Sequence, residues 1–145
     1  MRRLDNLERA LKRLPDVLEL ATEQVVQDNR AFLEDANTAQ LAAGVDREGE
    51  PITPEYAPLT VAIKQAKGQV SNRVTLRDEG DFYSGILAQL SPAGVELVGT
   101  DPKTAGLTEK YGEEILGLTD AHVAEFREDY VKPELLQKTR ETLGL

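Results

Sequence analysis

The amino-acid sequence predicts an α+β fold: long N-terminal helices, a small antiparallel sheet with a β-hairpin, and C-terminal helices. Three observations predict it. Apolar residues recur at three- and four-residue steps through the first third of the chain. Two short extended runs, Phe82 to Leu90 and Val95 to Val98, flank a Ser91-Pro92-Ala93-Gly94 link, the pattern of a hairpin. Beyond Thr119 the helical spacing returns. Helices and strands are thus segregated along the chain, and parallel βαβ units are not expected. A length of 145 residues suits a single domain. We divide it into a helical arm over 1–44, an α+β core over 45–118 and C-terminal helices over 119–145.

The first element is a leucine stripe. Leu4, Leu7, Leu11, Leu14, Leu18, Ala21, Val25 and Phe32 fall on one helical face. Pro15 lacks an N–H and crowds the preceding turn, so a kink or break is expected there. Asp16 and Glu19 follow it, as they would at the start of a second helix running to about Ala43. Gly44 supplies a left-handed cap. The near-heptad repeat would suit a coiled-coil partner, but packing of the stripe on the protein's own sheet is the simpler expectation.

Residues 45–57 combine two prolines, a glycine and four acids, which favours a loop, with a turn at Asp46 to Gly49. The alternate acids and closing glutamate of a calcium loop are missing. A short helix should begin at Pro58, with Leu59, Ala62, Ile63 and Ala66 on one face, and end at Gly68. Val74-Thr75-Leu76 reads as extended, and Asp78-Glu79-Gly80-Asp81 as a turn. In the strand that follows, Phe82, Ser84, Ile86, Ala88 and Leu90 share a face, which directs Tyr83 the other way. Gly99 to Lys103 is a turn, and Thr104 to Tyr111 a short helix closed by Gly112. Thr119 and Asp120 offer N-caps for a helix carrying Val123, Ala124, Phe126, Tyr130 and Val131. Pro133 should start a last helix with Leu135, Leu136, Thr139 and Leu143 on one side.

Composition narrows the function classes. The formal net charge of −9 disfavours nucleic acid as the main ligand, so DNA is not an expected partner. A basic end on an acidic body could dock on an acidic neighbour or contact DNA, but solvation of an outer helix face is the simpler reading of such an end. Residues 1–14 run against this trend: Arg2, Arg3, Arg9, Lys12 and Arg13 face only Asp5 and Glu8, a net of +3. With no cysteine there is no thiolate metal site, disulfide or cysteine nucleophile. His122 is the one histidine, read as a surface or capping residue. No apolar run is long enough for a membrane span, and none follows the charged start Met1 to Asn6 to make an export signal. Asp78, Glu79 and Asp81 form the tightest acid group. Turn chemistry accounts for them more simply than metal or acid–base work. Hence no catalytic residue, metal or cofactor is expected.

Three pieces of sequence occur in order: Pro58-Leu59-Thr60 with Lys64; Val74-Thr75-Leu76-Arg77-Asp78-Glu79-Gly80-Asp81-Phe82-Tyr83; and Lys110-Tyr111-Gly112 with Ile115-Leu116-Gly117-Leu118. Together they resemble the small virion morphogenesis proteins, tail-completion and neck components, of long-tailed phages. Gln40-Leu41 to Gly44 and Asp46 to Gly49 are similar to a variant from phages of gut bacteria. Glu79 stands where the family pattern has threonine, and the histidine-containing segment after the family's tyrosine is missing. The resemblance implies a structural virion protein, assembled in the host bacterial cytoplasm into a homo-oligomeric ring. Its implied partners are a connector, tail tube or tail terminator. Arg77, Asp78, Glu79, Gly80 and Asp81 are then expected as turn structure, and Tyr83, Tyr111, Leu4, Leu7 and Leu11 at interfaces. Two other functions compete with this one: a host-directed regulator acting through the leucine stripe, and a metal-dependent hydrolase built on the acid group.

Overall fold

The computed structural model describes residues 2–145. The fold is α+β, as the segregated pattern predicts. Two long helices come first, α1 (Arg2–Asp28) and α2 (Arg30–Ala42). After the loop come α3 (Pro58–Ala66) and a single helical turn, α4 (Asp81–Ser84). The hairpin strands are β1 (Ile86–Ser91) and β2 (Gly94–Gly99). Then follow α5 (Thr104–Tyr111), a 3₁₀ turn (Glu113–Ile115), α6 (Asp120–Phe126), a π-helical turn (Arg127–Val131) and α7 (Lys132–Leu143).

Two compact units are present. One consists of Met1–Asn29 with Ala124–Leu145, the other of Arg30–Val123. In the first, α1 packs along α7 and the π turn. Ala10, Ala21, Val25, Val26 and Phe126 are its buried apolar residues, and Phe126 stacks on Tyr130 with ring centroids 5.6 Å apart. The stripe was expected on the sheet, yet it is α2 that packs on β1. Leu33, Leu41, Ile86, Ala88 and Ile115 are fully or almost fully buried in the second unit, with Phe82 and Leu97 beside them.

Of the three prolines expected to start helices, Pro58 opens α3 and Pro133 lies at the start of α7, whereas Pro15 lies inside a continuous helix. Pro15 is within α1, and the chain does not break until Asn29. A proline at this position leaves the Leu11 carbonyl without its usual donor. Leu11 and Pro15 are both exposed, so water can serve that carbonyl. Pro133 sits in the first turn of α7, which continues from α6 without a loop. Directly ahead of it the Lys132 N–H donates to the Arg127 carbonyl, one residue further back than in an α-helix. This widened turn absorbs the break in the ladder that the proline imposes.

The strand start is also corrected. Phe82 to Ser84 is helical, and β1 begins only at Ile86. Gly80 (φ 96°) turns the chain into α4. The alternation holds only over Ile86 to Ala88, where Ile86 and Ala88 are buried and Leu87 is half-buried; Leu90, expected on the same face, is exposed. The two strands pair antiparallel with Ala88 opposite Leu97 and Ser91 opposite Gly94. Glu34 of α2 accepts a hydrogen bond from the Ala88 N–H at 2.8 Å, so α2 satisfies the outer edge of β1. Other expectations stand. Gly44 (φ 80°) ends the helical start, with the Val45 N–H donating to the Gln40 carbonyl at 3.0 Å. The Asp46 carboxylate accepts from the N–H groups of Glu48 and Glu50 at 2.9 and 3.0 Å, making the predicted turn.

Candidate interaction surface

Side chains from α2 lay out the segment after α5. Asn37 is fully buried; its amide nitrogen donates to the Ile115 carbonyl at 3.0 Å, and its oxygen accepts from the Gly117 N–H at 2.9 Å. One turn on, Gln40 repeats the pattern. Its nitrogen donates to the Gly117 carbonyl at 3.0 Å, and its oxygen accepts from the Thr119 N–H at 2.9 Å. Four backbone groups of an otherwise irregular segment are thus satisfied by two side chains three residues apart on one helix. The partners fix the Gln40 amide orientation, so the His122 Nδ1 atom, 2.7 Å from the same oxygen, carries the proton. Thr119 caps α6, its hydroxyl accepting from the His122 N–H at 3.3 Å. The clamp holds Leu116 and Leu118 half-buried. Sequence reasoning missed Asn37 and Gln40. The available signal was two amides interleaved with Leu33 and Leu41 on the buried stripe of a helix.

A second polar cluster organises the predicted turn. Tyr56 reaches from the loop, its hydroxyl accepting from the N–H groups of Thr75 and Leu76 at 3.1 and 3.0 Å. Leu76 has φ 57°, a left-handed conformation that costs an L-residue about 1–2 kcal/mol. The two bonds to Tyr56 help to hold it there. Lys64 is only 8% exposed. Its ammonium donates to the Arg77 carbonyl at 2.7 Å and lies 5.0 Å from the centre of the Tyr56 ring. This reverses the face expected for α3. The helix turns Lys64 inward and leaves Leu59, Ala62, Ile63 and Ala66 exposed.

Tyr83 belongs to this cluster. Because its segment is helical, strand alternation does not apply, and the ring is not free on an outer face. Its hydroxyl donates to the Thr75 carbonyl at 2.6 Å, and the Arg77 guanidinium lies 5.7 Å from its ring centre. Burial pushes its pKa up to about 12, against a smaller opposing effect of Arg77. Asp78 accepts from Gln69 and Lys67, each at 3.0 Å. The Gln69 hydrogen bond, and after it the Lys67 bond, lowers its pKa. Asp81 lies 4.0 Å from Lys103, and Glu79 is exposed. No three His, Asp or Glu side chains gather as a possible metal-ligand set among the described residues. Tyr111 is half-buried beside Lys110, whose ammonium is 5.2 Å from its ring centre.

The remaining predicted interface residues lie at the start of α1. Leu4, Leu7 and Leu11 are 64%, 40% and 52% exposed, whereas Leu14 and Leu18 on the same stripe are half-buried. Every arginine and lysine in this stretch is exposed. The structure therefore defines an α+β protein with two internal polar clamps and an uncovered basic leucine tip. Comparison with protein families, curated proteins and solved structures finds no match. No helix among the described residues is long and apolar enough to cross a membrane.

Proposed function

We propose that this protein is a structural component of a phage virion, completing the tail or the head–tail junction by binding other proteins and not by catalysis. The observation that carries the reading is the leucine tip. Three leucines on one helical face stand open to solvent in a chain that buries its smaller Ala10 and Ala21. Burying each leucine would contribute roughly 1.5–3 kcal/mol to an assembly. The motif order adds support, since the helix bearing Lys64, the Gly80 turn and the hairpin follow one another as the resemblance implies. Connector, tail-tube or tail-terminator subunits are the partners this reading names, with the chain itself arranged as a ring.

Mass spectrometry of purified particles from the source strain tests the proposal. The protein is expected at a stoichiometric level, and deletion of its gene should leave unjoined heads and tails under the electron microscope. Absence from particles would overturn the structural role. A free regulator acting through the same tip predicts that absence.

A further inference from the structure

The unit Arg30–Val123 contains a groove comparable to the leucine tip in length and opposite to it in charge. It has a volume of about 610 Å³, within the range of roughly 300–1,000 Å³ typical of binding clefts. Val95 and Val98 of β2 line it, together with Leu116, Leu118 and Val123. Val95 and Val123 are exposed, so the groove is open, with unburied apolar surface. Its wall is the segment that Asn37 and Gln40 clamp, which gives it a fixed outline.

Charge singles out an occupant. Glu96 and Glu113 line the groove, and its one cation, Arg47, is engaged with the Leu116 carbonyl at 3.2 Å. Residues 30–123 as a whole hold fifteen acidic and eight basic residues, a net of −7. Residues 2–13 hold five basic and two acidic, a net of +3. Two tips brought together would set their ten cations against each other, which disfavours tip-to-tip pairing. A tip against a groove brings opposite charges together around an apolar centre. Dimensions agree as well. Leu4 to Leu11 spans about 10 Å of helix axis, and Val95 to Gly99 about 13 Å of strand.

We infer that the N-terminal tip of α1, through Leu4, Leu7 and Leu11, seats in the groove beside β2 of a second copy of this chain, the net positive charge of the tip being drawn to the acidic surface that carries Glu96 and Glu113. The inference rests on the assembly reading and specifies one of its contacts. A tip and a groove are different surfaces, so the contact is heterologous and leads to closed rings or open filaments, not to a two-fold dimer. Each contact is small and weak by itself; ring closure would multiply its strength.

The lack of cysteines allows a direct test. Leu7→Cys, Val95→Cys and Val123→Cys, made singly at exposed positions, are checked for unchanged melting and mixed in pairs under mild oxidation. Leu7→Cys should link to Val95→Cys or Val123→Cys at least about tenfold more than Leu20→Cys does. The doubly substituted chain should give a ladder of oligomers. Self-linking of Leu7→Cys, closure of the double variant within one monomer, or no excess over Leu20→Cys would each overturn the inference. The last result would leave the groove to another occupant, such as an extended peptide on the free edge of β2. A charge exchange gives a second measurement. Arg9→Glu with Arg13→Glu should abolish association, and Glu96→Arg with Glu113→Arg supplied on the same chain should restore it; failure to restore defeats the charge match. Virion composition separates the two failures. Protein present in particles without the cross-link sinks only this contact, whereas a cross-link without the protein in particles sinks the virion role.

Discussion

The helix α2 buries amides, while the start of α1 exposes leucines. Asn37 and Gln40 lie inside, each with both ends of its amide satisfied, and Leu4, Leu7 and Leu11 remain exposed. Helix α3 repeats the inversion on a small scale, burying Lys64 and exposing Leu59 and Ile63. Burial in this protein thus follows what the neighbouring backbone requires. A polar side chain goes inside where an irregular segment offers several unpaired N–H and C=O groups, because leaving those groups dry is costly. An apolar side chain stays outside where no neighbouring element reaches it.

The contrast predicts opposite outcomes for substitutions at the two kinds of site. Asn37→Leu should have the largest effect. It leaves the Ile115 carbonyl and the Gly117 N–H buried without partners, at about 1–3 kcal/mol each. Melting temperature should fall by at least about 5 °C. A neutral Asn37→Leu would break the comparison, since it would mean that the clamp is decorative. Lys64→Met keeps the apolar stem but removes the donor to the Arg77 carbonyl, and should cost roughly 1–3 kcal/mol in a urea titration.

Tyr83→Phe comes next. Loss of the hydrogen bond to the Thr75 carbonyl should lower stability by about 1 kcal/mol at neutral pH. This residue also carries a pH signature. Its folded pKa is raised to about 12 from 10.0, so the folded state favours the neutral phenol. The stability this gives is fully present below pH 10 and is lost as pH rises towards 12. Denaturation curves over that window should steepen for the parent protein and flatten for Tyr83→Phe. An identical alkaline profile in both would remove Tyr83 from the polar cluster.

The smallest stability change is expected at the tip. Leu4→Ser, Leu7→Ser and Leu11→Ser should each alter stability by no more than about 0.5 kcal/mol. If the tip seats on a second copy, as proposed, the same variants lose self-association in sedimentation experiments. A large loss of stability at any of the three would show that the tip is already covered, and would erase the difference between α1 and α2.

Local sequence alone determined a good part of this protein. Period-3.6 spacing placed the helices, Gly44 and Gly68 marked two of their ends, and Asp46 to Gly49 and the 91–94 link set turns, because these features act within a few residues along the chain. The surface is legible in part: Leu4, Leu7 and Leu11, expected at an interface, are exposed, and Arg77 to Asp81 make the turn into α4. Tertiary structure decided the rest. Whether Pro15 and Pro133 end a helix depends on solvent at the freed carbonyl and on the i→i−5 bonding before Pro133. Whether Tyr83 faces out depends on the Thr75 carbonyl, eight residues away. Which side of α3 faces inward depends on Arg77, thirteen residues from Lys64, and the Asn37 and Gln40 clamps on partners 77 to 80 residues away. Periodicity reports the face a helix offers, but only folding brings up the backbone groups and side chains that select what is buried.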